Sequence, residues 1–494
     1  MIIKSDRPEI LNSQRFYLDF EAYIQDAKEI ILANAEISKL SYDILNGEIR
    51  ILYNVKYNVI YKNATQLNKF EDEVEKTTQI KDLNILSDYF VDIDVTIVAV
   101  EHTGITNLRI RVEIEIKGYY LIEELVKVPE ICSDIFVKTE ERHLQHLIPL
   151  KESTFNLTEE FEIKEGISRV FASDSRIIVD STACNNEICT IKGDCLVNII
   201  YLFDGNLCAR CFALPFTVES LVSNPGKPES IFCQGRVLET ELNTDGETAE
   251  NEATSIKIIV SASTKGYAVV NEIGLFPSDA YSERKELDIK YANFKIAKNI
   301  VISEKKEKVR GMVRLNDDDI LIRSILATSS HKISAFEISN VEGLKIEGII
   351  SIKVIYLNKE VHVSSILAEI PYHFILDNDF DKNVQDFFAC AYITDVCAKA
   401  KHNNEIEIDC DIRVEISGKK SDTIKYIEAI NECGDLVNDI DAITIYVAKE
   451  GESLWEVSKA LKCDSNKLLE LNPELRMPVC NGQKVMIYRQ LECV

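Results

Sequence analysis

ISRVFASDSRIIVDSTACNNEICTIKGDCLVNIIY, residues 167–201, is the stretch that decides the fold class. Apolar side chains alternate through Ile191, Cys195, Val197 and Ile199, the period-2 signature of a half-buried strand. Two further windows, 27–61 and 322–356, align with it without a gap. An apolar residue recurs at Ile30, Val170 and Ile325, at Ile51, Ile191 and Ile346, and at Val59, Ile199 and Val354. Each window closes on an apolar pair and a tyrosine: Val59-Ile60-Tyr61, Ile199-Ile200-Tyr201 and Val354-Ile355-Tyr356. The second and third carry Gly193 and Gly348 where the first has Tyr53. A register kept over three copies points to an internal repeat.

Downstream, Leu214-Pro215-Phe216 and Ile370-Pro371-Tyr372 follow the second and third windows, and the first lacks the proline. Each copy then reaches an alternating strand that closes on a glycine, at residues 112–118, 258–266 and 414–418. Further strand-like runs lie at 91–100 and 387–400. The fold expected is mainly β, as tandem sandwich- or barrel-like repeat domains at 1–140, 141–285 and 286–435. Residues 140–146, EERHLQH, are expected to form one or two helical turns, and the charged run 304–310 to mark the next boundary. The polar, acidic stretch 243–254 reads as a hairpin tip. The first copy is the most divergent, so a two-repeat reading with 1–150 unrelated stays open.

The C-terminal stretch 444–489 reads TIYVAKEGESLWEVSKALKCDSNKLLELNPELRMPVCNGQKVMIYR and holds the only tryptophan, Trp455. A strand over 444–447 leads to a turn at Gly451. Ser453 is placed to cap a helix with Leu454, Val457 and Leu461 on its apolar face. Asp464 or Ser465 caps a second helix through Leu468, Leu469 and Leu471, which Asn472-Pro473 ends. Gly482 turns the chain into a closing strand, Val485-Met486-Ile487. This β-α-α-β order, with Gly-x-x-Leu-Trp, Leu-Asn-Pro and Gly-Gln before the last strand, resembles a LysM module at 443–489. The resemblance implies binding of N-acetylglucosamine polymers such as peptidoglycan. Its groove lies between the loop Gly451-Glu452-Ser453-Leu454 and the loop Asn472-Pro473-Glu474-Leu475-Arg476-Met477. Position 452 is often aspartate in that family. A protein partner in the same groove is the competing expectation, and Trp455 is read as a core anchor at the helix start.

The repeat pattern is similar to the SPOCS domain of spore-coat-associated proteins in endospore-forming clostridia, which commonly end in a LysM module. That resemblance implies a sporulation protein made in the mother-cell cytoplasm and assembled on the forespore surface. It implies spore coat proteins as partners, among them the basement-layer morphogenetic ATPase, with peptidoglycan as the alternative ligand.

Composition fits a multidomain globular chain: 494 residues, 46% hydrophobic and 28% charged. A formal net charge of −26 opposes nucleic acid or an anionic membrane as main partner. No signal peptide or transmembrane segment is expected, since no run approaches the roughly 20 apolar residues of a membrane span. The 14 cysteines are accordingly expected as reduced thiols. Cys208-Ala209-Arg210-Cys211 is a CxxC, but Cys184, Cys189 and Cys195 supply no second one for zinc. His143 and His146 read as part of a solvated turn. Phosphate-loop, Gly-x-Gly-x-x-Gly and His-Glu-x-x-His motifs are absent. The expectation is a non-enzyme with no catalytic residue, metal or cofactor.

Overall fold

A computed structural model describes residues 2–64, 66–130, 134–185, 187–222, 228–245, 253–315, 321–340, 344–360, 362–376, 384–401, 404–436, 443–476 and 479–488. Among them the chain is mainly β, in many small antiparallel sheets, with two short helices near the C-terminus.

The N-terminal part forms β1 (Ile2–Ile10), β2 (Gln14–Tyr23), β3 (Glu29–Leu45), β4 (Glu48–Lys62), β5 (Leu67–Lys81), β6 (Val91–Thr103) and β7 (Asn107–Lys127). Strands β3, β4 and β5 make a meander. β1 and β2 lie end to end along one side of β7, and β6 pairs with its other side. The middle part runs through β8 (Ile135–Pro149), β9 (Ser153–Ile167), β10 (Arg169–Asn185), β11 (Ile188–Phe203), β12 (Asn206–Leu221), β13 (Ser230–Thr244) and β14 (Ala253–Ser282). Here β10, β11 and β12 are the meander, and β14 takes β8 and β9 on one side and β13 on the other. The next part forms β15 (Lys285–Arg314), β16 (Ile322–Asn340), β17 (Leu344–Asn358), β18 (Val363–Leu376), β19 (Val384–Ala400) and β20 (Glu405–Asp435). Its meander is β16-β17-β18, and β20 lies between β15 and β19.

Alternation explains how each meander buries one face against its long-stranded sheet. Ile49, Ile51, Tyr53 and Val55 of β4 face Ile110, Val112, Ile114 and Ile116 of β7 in one cluster. Ile191, Cys195, Val197 and Ile199 of β11 share a cluster with Ile256, Ile258 and Val260 of β14. Ile350, Ile352 and Val354 of β17 share a third with Ile406, Ile408 and Ile412 of β20. Each such isoleucine contributes about 1.5–3 kcal/mol by leaving water.

The closing tyrosines occupy one register position in all three hairpins. Ile30 pairs with Tyr61, Val170 with Tyr201 and Ile325 with Tyr356, and a bulge follows directly in each case. The residues beyond the bulges meet in a single apolar cluster that includes Leu32, Ile60, Ala172, Ile200, Ala327 and Ile355.

Three expectations are corrected. The strands read as closing on glycine run on to Lys127, Ser282 and Asp435. Gly118 and Gly266 stand where β7 and β14 change partners, from β2 to β1 and from β9 to β8. A Cβ on Gly118 would lie 2.4 Å from the Asp92 carbonyl oxygen, and one on Gly266 would lie 1.9 Å from that of Phe232. Glycine is needed for that close approach of the neighbouring strand. Residues 140–146 lie in β8, not a helix, because their backbone is taken up by pairing with β14 (Glu141 opposite Leu275, His143 opposite Ile273). Residues 304–310 lie inside β15, where Lys308 faces Asp411 and Arg310 faces Asp409 across to β20. Residues 246–252 of the expected hairpin tip lie outside the described residues, and the stretch joins β13 to β14.

The C-terminal part is β21 (Ile443–Val447), α1 (Leu454–Leu461), α2 (Ser465–Leu471) and β22 (Lys484–Tyr488), with β21 and β22 paired. Val457, Leu461, Leu468, Val485 and Ile487 form its core, with Leu454 and Leu475 packed against it. Among the described residues no helix is long and apolar enough to cross a membrane.

Candidate functional site

The first of the two C-terminal loops is tied to the segment after the second one. Gly451 N donates to the Val479 carbonyl at 3.1 Å, and Val479 N donates to the Glu452 carbonyl at 3.2 Å. Ser453 caps α1, its hydroxyl accepting from Glu456 N at 3.3 Å while the Glu456 carboxylate accepts from Ser453 N at 2.7 Å. This reciprocal pair satisfies two orphan amide donors of the helix start. Asp464 caps α2 through Asn466 N.

Several polar groups expected to face a ligand are instead used within the fold. Glu452 accepts from the Tyr446 hydroxyl at 2.9 Å and from Lys449 N at 2.8 Å. Asn472 donates to the Leu468 and Met486 carbonyls and accepts from Met486 N at 2.8 Å, stitching α2 to β22. Leu454 and Leu475 pack on the core. Of the ten expected positions, Gly451, Pro473, Glu474 and Arg476 are exposed, and Met477 lies outside the described residues.

A different surface of the same part is apolar and open. In the β21–β22 ribbon, Ile443 pairs with Tyr488 and Ile445 with Met486, with Val447 at the end of the row. These five side chains point away from the core and keep between 38% (Met486) and 57% (Val447) of their surface exposed. Large apolar side chains grouped on so small a sheet face mark a contact surface.

The helical side is held against β14. Trp455 does not enter the local core as expected. Its indole stacks edge-on to Tyr281 with ring centres 5.0 Å apart, and Nε1 donates to Asp279 Oδ2 at 2.9 Å. Lys459 Nζ reaches Asp279 Oδ1 at 2.6 Å. The Tyr281 hydroxyl donates to the Cys463 carbonyl at 2.8 Å, and Asp464 N donates to Glu283 Oε1 at 2.7 Å. Burial alone would push the Asp279 carboxyl upward, but the Lys459 and Trp455 donors outweigh it and hold it below the usual range. Asp279, Tyr281 and Glu283 were not singled out from the sequence. Asp279 and Tyr281 share one face of β14 and Glu283 lies just past its end, but nothing local names a partner about 180 residues away.

The other candidate chemistry resolves geometrically. Cys208 and Cys211 lie three apart on β12 and so point to opposite faces, with Cys208 packed on the core, so this CxxC does not chelate as a pair. His143 and His146 are split in the same way on β8. Cys184 and Cys189 stand opposite each other across the β10–β11 hairpin, close enough for their sulfurs to meet. Burial pushes the Cys195, Cys233 and Cys410 thiols up to about 12, away from the thiolate form.

Comparison of the chain with protein-family models, with curated proteins and with solved structures finds no match.

Proposed function

We propose that the chain is a non-enzymatic spore-coat assembly protein. In this reading the three sheet pairs are tandem SPOCS-like sandwich domains and the C-terminal β-α-α-β part is a LysM module. The protein joins coat components at the forespore surface from the mother-cell cytoplasm, with the basement-layer ATPase as the expected partner. The coat assignment rests on the family resemblance of the repeats and of the C-terminal motifs. The choice of a protein partner over peptidoglycan rests on one observation. Glu452 and Asn472, the most ligand-like side chains of the glycan loops, are consumed by internal hydrogen bonds, while the β21–β22 face carries five exposed apolar side chains. Sugar recognition needs hydrogen-bonding groups that point outward, whereas a protein interface uses an apolar centre of this kind.

The test pairs two assays on the full chain. Capture from sporulating cells should retain one dominant protein partner, and purified peptidoglycan should leave the chain in the supernatant. Saturable pelleting with peptidoglycan and no retained protein would overturn the proposal in favour of the glycan-binding reading.

A further inference from the structure

The apolar-Pro-aromatic motif falls on the third strand of its meander. Pro215 of β12 stands opposite Asp194, and Pro371 of β18 stands opposite Ile349. Asn54 holds the same place in the first aligned window, and opposite it on β5 stands Glu75. Glu75 is therefore the first meander's counterpart of both prolines. All three strands are outer ones, paired on one side only, with β4, β11 or β17.

An outer strand carries a row of unpaired N–H and C=O groups that can template a further strand. On β5 that row can be located. Asn63 N donates to the Gln66 carbonyl at 3.0 Å, and the β4–β5 ladder then runs without a register shift from Leu67 opposite Lys62 to Lys81 opposite Glu48. Alternation along the ladder turns the N–H and C=O of Lys69, Glu71, Glu73, Glu75 and Thr77 away from β4. Pro215 and Pro371 hold the corresponding place on β12 and β18, where a proline fits because its nitrogen faces away from the paired strand. Each of those strands also lies against a neighbouring meander. β12 runs beside β16, and β18 beside β3, where the Ser365 hydroxyl donates to the Ile31 carbonyl. By contrast β5, LNKFEDEVEKTTQIK, holds neither proline nor glycine, and Glu71, Glu73, Glu75, Thr77 and Gln79 are exposed. The usual devices that blunt an edge, a proline, a bulge or a covering strand, are absent from it among the described residues.

The side chains along this edge are acidic. Phe70, Val74 and Ile80 turn to the core, so Glu71, Glu73 and Glu75 share the outer face. Glu71 is offset by Lys56 at 2.9 Å and Lys69 at 2.5 Å, and Glu73 has Lys39 at 3.7 Å. Glu75 has no ion pair among the described residues.

We propose that the outer edge of β5 is a docking site for an extended, lysine- or arginine-rich segment of a partner protein, which adds to the first meander as a further strand. Backbone bonds to the outward N–H and C=O groups hold the segment, and its basic side chains meet Glu73 and Glu75. Glutamate in place of proline at position 75 keeps the donor row unbroken in this meander alone.

Fluorescence anisotropy of a labelled peptide, Lys-Val-Lys-Thr-Lys-Val-Lys-Thr, with the full chain tests the site. A second peptide with proline at both valine positions keeps the charge and loses the strand, which separates strand addition from bulk attraction to a chain of net charge −26. Saturable binding of the first peptide is expected, weaker by roughly tenfold or more for the proline peptide and for the Glu75→Pro chain. Equal affinity for the two peptides, undiminished affinity in Glu75→Pro or no saturable binding would overturn the proposal. If Glu75→Pro fails to fold, hydrogen exchange of the unsubstituted chain decides. The Glu71, Glu73 and Glu75 amides should slow when the first peptide is added, and unchanged rates would sink the site.

Discussion

Replacing Asp279 with alanine should release the C-terminal part from β14 while leaving its own fold intact. Asp279 holds two donors, Trp455 Nε1 at 2.9 Å and Lys459 Nζ at 2.6 Å. A hydrogen bond from a neutral N–H to a carboxylate is worth about 1.5–3 kcal/mol. The Lys459 side chain is 44% exposed, so solvent screening limits its ion pair to under about 1 kcal/mol. The Trp455–Tyr281 edge contact survives the substitution. The expected loss is therefore about 2–3 kcal/mol, or roughly a 30- to 150-fold increase in the undocked population. Hydrogen exchange reads it directly. The Asp464 amide bonds to Glu283 across the interface and should exchange faster by that factor. The Val457 amide, bonded to the Ser453 carbonyl inside the module, should keep its rate. The Asp279 carboxyl is depressed in the folded chain, so its stabilisation is complete above the unfolded value of about 4 and is lost as pH falls through the folded one. Unchanged exchange at Asp464, or equal acceleration at Val457, would refute the latch.

Gly266→Ala forces a Cβ against the Phe232 carbonyl, whereas Gly205→Ala meets nothing within 4 Å and suffers only from its φ of +72°. Denaturant titration should show the first variant weaker by about 3 kcal/mol and the second by about 1 kcal/mol. The buried Tyr372 hydroxyl has no partner among the described residues, so Tyr372→Phe should be neutral or stabilise by up to about 1 kcal/mol in the same assay. Leu32→Ala opens the apolar cluster shared by the three hairpins and should cost about 2–5 kcal/mol, seen as a lower midpoint.

The hairpins are legible in the sequence because one face of each is buried, which enforces strict alternation and keeps Ile30, Val170 and Ile325 opposite their tyrosines. The C-terminal helices are legible because Ser453 and Asp464 announce their starts and Val457, Leu461 and Leu468 their inner faces. The long strands are not. Gly118 and Gly266 look like terminators, yet they are passing points for a neighbouring carbonyl, and only the paired strand reveals this. Residues 140–146 carry charges without clean alternation, and their strand state comes from pairing with β14 rather than from local preference. The Glu452 carboxylate and the Asn472 amide turn inward to Tyr446 and Met486, which spacing alone does not reveal. Trp455 was visible as the only tryptophan. Its partner was hidden by the length of chain between the two.

The central claim is that the apolar β21–β22 face meets a protein. The direct measurement is localisation of the full chain in sporulating cells, comparing the I445E/M486E variant with E474A/R476A. The account expects I445E/M486E to stay diffuse in the mother cell while E474A/R476A gathers on the forespore surface. Normal gathering of I445E/M486E, with E474A/R476A left diffuse, would contradict it.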